Sequence, residues 1–107
     1  MRVLIAAGGT AGHINPALAI AGALKAADPA AEMKNVGRNV VALYHLALSG
    51  PRTAAILKEV RPDLVIGCGG YVSGPVVRAA AKKGIKTAIH EQNAFPGVTN
   101  KLLAKDV

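Results

Sequence analysis

Three short tracts carry the residues able to do chemistry. The first is Gly8-Gly9-Thr10-Ala11-Gly12-His13, in which three of six positions have no side chain. Backbone N–H groups of such a loop can approach a phosphate closely, above all where a helix begins. The tract is neither the Gly-Lys-Ser/Thr of a P-loop nor the G-x-G-x-x-G of dinucleotide folds, so alone it reads equally as a tight turn. His13 stands near a helix start, where the dipole favours an uncharged imidazole able to take up a proton as general base; a capping or packed histidine is the plainer alternative. The second tract, Gly69-Gly70-Tyr71-Val72-Ser73-Gly74-Pro75, joins backbone donors to the hydroxyls of Tyr71 and Ser73, suited to an anion or a sugar. Its alternative is a glycine turn with Ser73 as helix cap. The third, His90-Glu91-Gln92-Asn93, sets four polar side chains in a row at the end of an apolar run, where an unpaired carboxylate is expensive. Glu91 is a candidate acid, base or hydroxyl acceptor, and His90, Gln92 and Asn93 are candidates to hydrogen-bond a polyhydroxyl ligand; otherwise the tract is a solvated loop. His45, between Tyr44 and Leu46, reads as an interface or structural histidine.

The elements that must position these tracts follow from periodicity. Residues 3–7 form a continuous apolar run stopped by glycine, the pattern of a strand buried on both faces of a parallel sheet. A helix follows, with Pro16 in its first turn, and Asp28-Pro29 ends it. Residues 36–48 and 51–60 read as two helices broken at Ser49-Gly50-Pro51. Residues 63–68 read as a second buried strand, 75–83 as a helix closed by Gly84, 86–90 as a third strand, and 98–105 as a last helix. Strands alternating with helices mean an α/β fold, a doubly wound parallel sheet with helices on both faces. In such sheets ligands sit beyond the carboxyl ends of the strands, where all three tracts fall.

One irregularity stands out. Ala31-Glu32-Met33-Lys34-Asn35 offers no apolar or β-branched run, so two helices come in series and a strand is expected to be missing there. The segment 40–48 is apolar almost all round, as a buried helix would be, yet Lys34, Arg38 and Arg52 flank it as they would a patch docking to an anionic membrane surface.

The bulk properties bound the rest. The chain's 107 residues amount to one domain, and 51% apolar against 18% charged residues argue for a folded chain. Thirteen Lys and Arg against six Asp and Glu give +7, which calls for an anionic partner. Tyr44, Tyr71 and Phe95 are the only aromatic residues, too few for the stacking platforms of single-strand binding, so nucleic acid is not expected. Cys68 is the single cysteine, which excludes a disulfide within the chain and fits a reducing, cytoplasmic location. No run reaches the ~20 apolar residues of a membrane span, and the amino terminus is too short in apolar residues for a secretory signal.

Taken together and in order, Gly8 through Ala19, the tract from Gly69 to Pro75, and His90-Glu91-Gln92-Asn93 with Pro96-Gly97-Val98-Thr99-Asn100 after it resemble the amino-terminal domain of the MurG family. Those are the transferases that add N-acetylglucosamine to the lipid-linked muramyl-pentapeptide in peptidoglycan synthesis. The resemblance covers nearly the whole chain. It implies a GT-B glycosyltransferase: two Rossmann-like domains about a cleft, inverting, peripheral at the cytoplasmic face of the membrane, with no metal and no cofactor. The implied partners are UDP-N-acetylglucosamine, the muramyl-pentapeptide lipid diphosphate and an anionic membrane surface. This chain then corresponds to the acceptor half. By similarity the two glycine tracts, with Gly69, Gly70, Tyr71, Ser73 and Gly74, hold the acceptor diphosphate; Thr10, Ala11 and Gly12 also border the donor, and Asn93 touches it. His13 is the first choice of base for the muramyl 4-hydroxyl and Glu91 the second.

Two departures bear on this expectation. Ala11-Gly12 stands where the family often has Gly-Gly, and a strand, helix and loop of the family are expected to be absent near residues 33–34, as is a donor-binding domain beyond Val107. The chain is therefore expected to be a partial or internally deleted form, inactive alone. A basic α/β module that binds phosphorylated lipid or anionic membrane without chemistry is the competing reading.

Overall fold

The computed structural model describes residues 2–8, 11–28, 32–35, 50–70 and 73–107. Among the described residues four strands and four helices alternate: β1 (Arg2–Ala6), α1 (Ala11–Ala27), β2 (Glu32–Asn35), α2 (Gly50–Val60), β3 (Leu64–Gly67), α3 (Ser73–Lys82), β4 (Lys86–Ile89) and α4 (Val98–Leu103). The helix expected over 36–48, His45 and the apolar stretch 40–48 lie outside the described residues. None of the described helices is long and apolar enough to cross a membrane.

The strands form one parallel sheet in the order β2-β1-β3-β4. β1 is central, with Val3 opposite both Met33 and Leu64. Its apolar run serves two cores at once. Leu4 and Ala6 point to one face, where Leu57 of α2, Val76, Val77 and Ala80 of α3 and Leu103 of α4 pack with Val65. Val3, Ile5 and Ala7 point to the other, against Ala17, Ile20, Ala21 and Leu24 of α1 together with Ile66 and Cys68. Positions 17, 20, 21 and 24 are one helical stripe, so α1 buries a single narrow face, and Leu18 beside it is 53% exposed. Full burial of each large β1 side chain stabilises the fold by about 1.5–3 kcal/mol, which makes β1 the strand on which both layers depend.

The structure corrects the sequence reading in two places. The strand expected to be missing is present: Glu32–Asn35 pairs in parallel with β1, Arg2 opposite Glu32 and Ile5 opposite Asn35. A four-residue strand at the sheet edge is held by main-chain hydrogen bonds to its one neighbour, so it needs no β-branched run to announce it. α1 also begins at Ala11, so Pro16 lies inside the helix and not in its first turn. The other described strands and helices fall where periodicity put them, to within a few residues at their ends.

Candidate functional site

The order β2-β1-β3-β4 reverses direction between β1 and β3, and the crevice outside the strand ends at such a switch point is where α/β sheets hold ligands. A cavity of about 360 Å³ occupies it, lined by His13, Gly69, Gly70, Glu91, Gln92, Asn93, Gly97, Val98, Thr99 and Asn100. Residues after β1, after β3 and after β4 thus share one concave space.

His13 is fixed from two sides. Its Nδ1 lies 2.8 Å from the carbonyl oxygen of Gly8. A carbonyl only accepts, so Nδ1 carries a proton, and in the neutral ring Nε2 is then the acceptor nitrogen. The ring edge rests on Gly69: a Cβ there would stand 2.8 Å from His13 Cδ2 and 3.1 Å from Nε2. Gly69 and Gly70 both have positive φ, +98° and +86°, and a side chain on Gly70 would be driven into the Gly8 carbonyl. These two positions need glycine for conformation and for space, because the turn after β3 lies directly on the turn after β1.

Glu91 spends its carboxylate on its own loop. Oε1 accepts from the Gly97 N–H at 2.9 Å and from Asn100 Nδ2 at 3.2 Å; Oε2 accepts from the Asn93 N–H at 3.2 Å and from Asn93 Nδ2 at 3.3 Å. The Gly97 N–H and then the Asn93 N–H hold its pKa below the ordinary carboxylate value, helped by the two side-chain amides and opposed by partial burial. Gln92 turns its amide onto main chain, with Nε2 2.9 Å from the Gly12 carbonyl oxygen and 3.3 Å from that of Cys68. Burial pushes the Cys68 thiol up, so this cysteine stays protonated as part of the core.

Of the residues singled out from sequence, the cavity gathers His13, Gly69, Gly70, Glu91, Gln92 and Asn93. Ser73 is fully buried at the start of α3, its hydroxyl donating to the Gly70 carbonyl at 3.1 Å, and it is not among the residues lining the cavity. Gly74 packs on α4, where an added Cβ would meet Thr99 Cγ2 at 3.1 Å. His90 is not on the lining; its main-chain carbonyl accepts from Asn100 Nδ2 at 3.4 Å, and its Nδ1 is buried without a hydrogen-bond partner. Gly12 meets the site through its carbonyl, and Ala11 opens α1. Thr10 and Tyr71 lie outside the described residues. Sequence reasoning missed Gly97, Val98, Thr99 and Asn100 as lining residues. They had a signal in the Pro96-Gly97-Val98-Thr99-Asn100 stretch that carries part of the resemblance; the structure buries the Asn100 amide, whose polar group must then meet partners inside the protein.

A parallel sheet with a crevice at its switch point, lined by glycine turns, a histidine and the polar loop after β4, defines a Rossmann-like α/β domain. The sequence model of the glycosyltransferase family 28 N-terminal domain matches residues 3–38 and 29–107, and the chain belongs to that family. It is 43% identical, over 138 aligned positions, to the UDP-N-acetylglucosamine--N-acetylmuramyl-(pentapeptide) pyrophosphoryl-undecaprenol N-acetylglucosamine transferase of Ruminiclostridium cellulolyticum, covering 100% of this chain and 38% of that relative. It is 41% identical to the protein of the same name from Acetivibrio thermocellus, with 100% and 37% covered. Among solved structures, the crystal structure of Acinetobacter baumannii MurG superposes with a TM-score of 0.73 at 29% identity, covering 99% of this chain and 39% of that one. The chain therefore spans less than two-fifths of the length of these relatives.

Proposed function

We propose that this chain is the acceptor-side half of a transferase that moves N-acetylglucosamine from UDP-N-acetylglucosamine to the 4-hydroxyl of a lipid-linked muramyl-pentapeptide, with inversion and with UDP leaving. The observation that carries the reading is convergence. His13, the Gly69–Gly70 turn and residues 91–93 meet at one cavity, and the Gly8 carbonyl orients the imidazole with Nε2 as its proton acceptor. In this reading His13 Nε2 takes the proton from the attacking hydroxyl while the oxygen bonds to the anomeric carbon of the donor. Glu91, whose carboxylate already accepts four hydrogen bonds, holds the loop that presents Asn93 to the donor sugar. The Gly69–Gly70 turn, which lines the same cavity, offers its main chain to the acceptor diphosphate. Thr10 and Tyr71 enter on resemblance alone.

The setting is peripheral, at the cytoplasmic face of the membrane. The charge of +7 supports an anionic surface, as do the exposed apolar side chains Phe95, Val98 and Leu102 next to Lys101. The chain is also internally shortened. The 138 aligned positions exceed its 107 residues, and the family model matches in two stretches that overlap within 29–38, which supports a deletion near residues 33–34.

The test is a transferase assay on residues 1–107 alone and fused to the remaining portion of the Ruminiclostridium cellulolyticum relative. The chain alone is expected to give no turnover and the fusion to give some. His13→Ala in the fusion should lower kcat by about 10²–10⁴-fold, the usual worth of a general base. Turnover by the lone chain overturns the half-enzyme reading, and an unimpaired His13→Ala fusion overturns the base assignment. A fusion that binds the lipid diphosphate without turnover would favour the binding module.

A further inference from the structure

The Gln92 side chain does something its position in a polar loop does not announce. Both groups it meets, the carbonyls of Gly12 and Cys68, are acceptors, so the amide orientation is fixed with the NH₂ toward them. Gly12 lies four residues before Pro16, inside α1. In a helix the carbonyl of residue 12 is bonded by the N–H of residue 16, and proline has none. Gln92 delivers the missing donor from a loop 80 residues further along the chain. Its second bond goes to Cys68, the residue before the positive-φ Gly69 on which the His13 ring rests. One amide therefore grips the main chain immediately before His13 and immediately before the surface that supports its ring. Its own Oε1 is left buried and without a partner, so the side chain is placed for these two donations and not for its own satisfaction.

We propose that Gln92 is a positioning residue for His13. By supplying the hydrogen bond that Pro16 withholds from Gly12, and by tying the end of β3 to the same amide, it fixes the turn from β1 into α1 against the Gly69–Gly70 turn. It thereby holds the imidazole with Nδ1 on the Gly8 carbonyl and Nε2 toward the cavity. The inference deepens the transferase reading and depends on it only for its kinetic arm.

The first arm is nuclear magnetic resonance on the 107-residue chain. Wild type should show a single His13 tautomer protonated at Nδ1 and slowly exchanging Gln92 side-chain amide protons. Gln92→Met keeps the length and removes the donors, and should give mixed tautomers. Pro16→Ala restores an N–H for the Gly12 carbonyl, so Pro16→Ala with Gln92→Met should return most of the Nδ1-protonated form. In the fused enzyme, Gln92→Met should lower kcat by about ten-fold or more, as small misplacements of a catalytic group do, with KM changed by less than about two-fold and partial recovery in the double variant. Rapid exchange of the wild-type amide overturns the proposal even if Gln92→Met does not fold. So does an unchanged tautomer in Gln92→Met, or a double variant no better than the single one. A wild-type fusion without turnover counts against the transferase reading alone, because the tautomer measurement does not use activity.

Discussion

The carboxylate of Glu91 accepts from two main-chain N–H groups and two side-chain amides, and all four donors favour the ionised form. Its folded pKa is therefore depressed relative to the unfolded chain. A depressed carboxylate contributes stability that is fully present above the unfolded value and is lost as pH falls through the folded one. The melting temperature should thus drop on acidification from about pH 5 to about pH 3. Glu91→Gln, which has no charge to lose, should be less stable near neutral pH and flatter across that window. Equal slopes for the two proteins would show that the loop does not depend on the charge. That Glu91, Gln92 and Asn93 belong with His13 was legible in the sequence, because polar residues after apolar runs collect at one edge of a parallel sheet. What each one touches was not legible. Two of the four partners of Glu91 are main-chain N–H groups and both partners of Gln92 are main-chain carbonyls, and main-chain groups carry no residue-type signal. Ser73 shows the same limit: its hydroxyl was read for a ligand or a cap, and the structure turns it inward onto the Gly70 carbonyl.

Among the elements, β1 was the easiest to read and β2 the hardest, for one physical reason. A strand buried on both faces must be apolar at every position, which leaves an uninterrupted run, whereas an edge strand is specified by the backbone of its neighbour. Helix α1 was read as starting late because proline at a first turn gives up nothing; the Gln92 amide at the Gly12 carbonyl, a tertiary contact, is what accommodates Pro16 deeper inside. Burial also sets what single substitutions should do. Leu4→Ala, at 0% exposure in the central strand, should destabilise by about 2–5 kcal/mol, the range for a buried leucine. Leu18→Ala, at 53% exposure on α1, should stay within about 0.5 kcal/mol. Denaturant titration of the two variants distinguishes them, and comparable losses would mean that α1 packs on something outside the described core.

For the molecule as a whole, the fold class came from strands alternating with helices and the family-level reading from three tracts in the right order, while length set the limit on function. The chain covers 38% of the Ruminiclostridium cellulolyticum relative. The excess of seven positive charges acts over the whole surface and is screened by salt. Co-sedimentation with vesicles containing anionic lipid should therefore be strong near 0.02 M salt, fall steeply by about 0.5 M, and be weak with neutral lipid throughout. Salt-independent binding would place the attraction in the apolar side chains alone. The central position of β1 has a further consequence, for timing. Val3 is among the first residues made, yet its partners are Met33 on one side and Leu64 on the other. At about 5–20 residues per second of synthesis, roughly 3–12 seconds pass before the β3 partner exists at all. Through that interval one edge of an apolar stretch that will end in the middle of the sheet has nothing to pair with, and until Met33 is made neither edge has; pairings this distant in sequence are slow to form even afterwards. The strand that holds both layers together is the one left longest to the care of the cell.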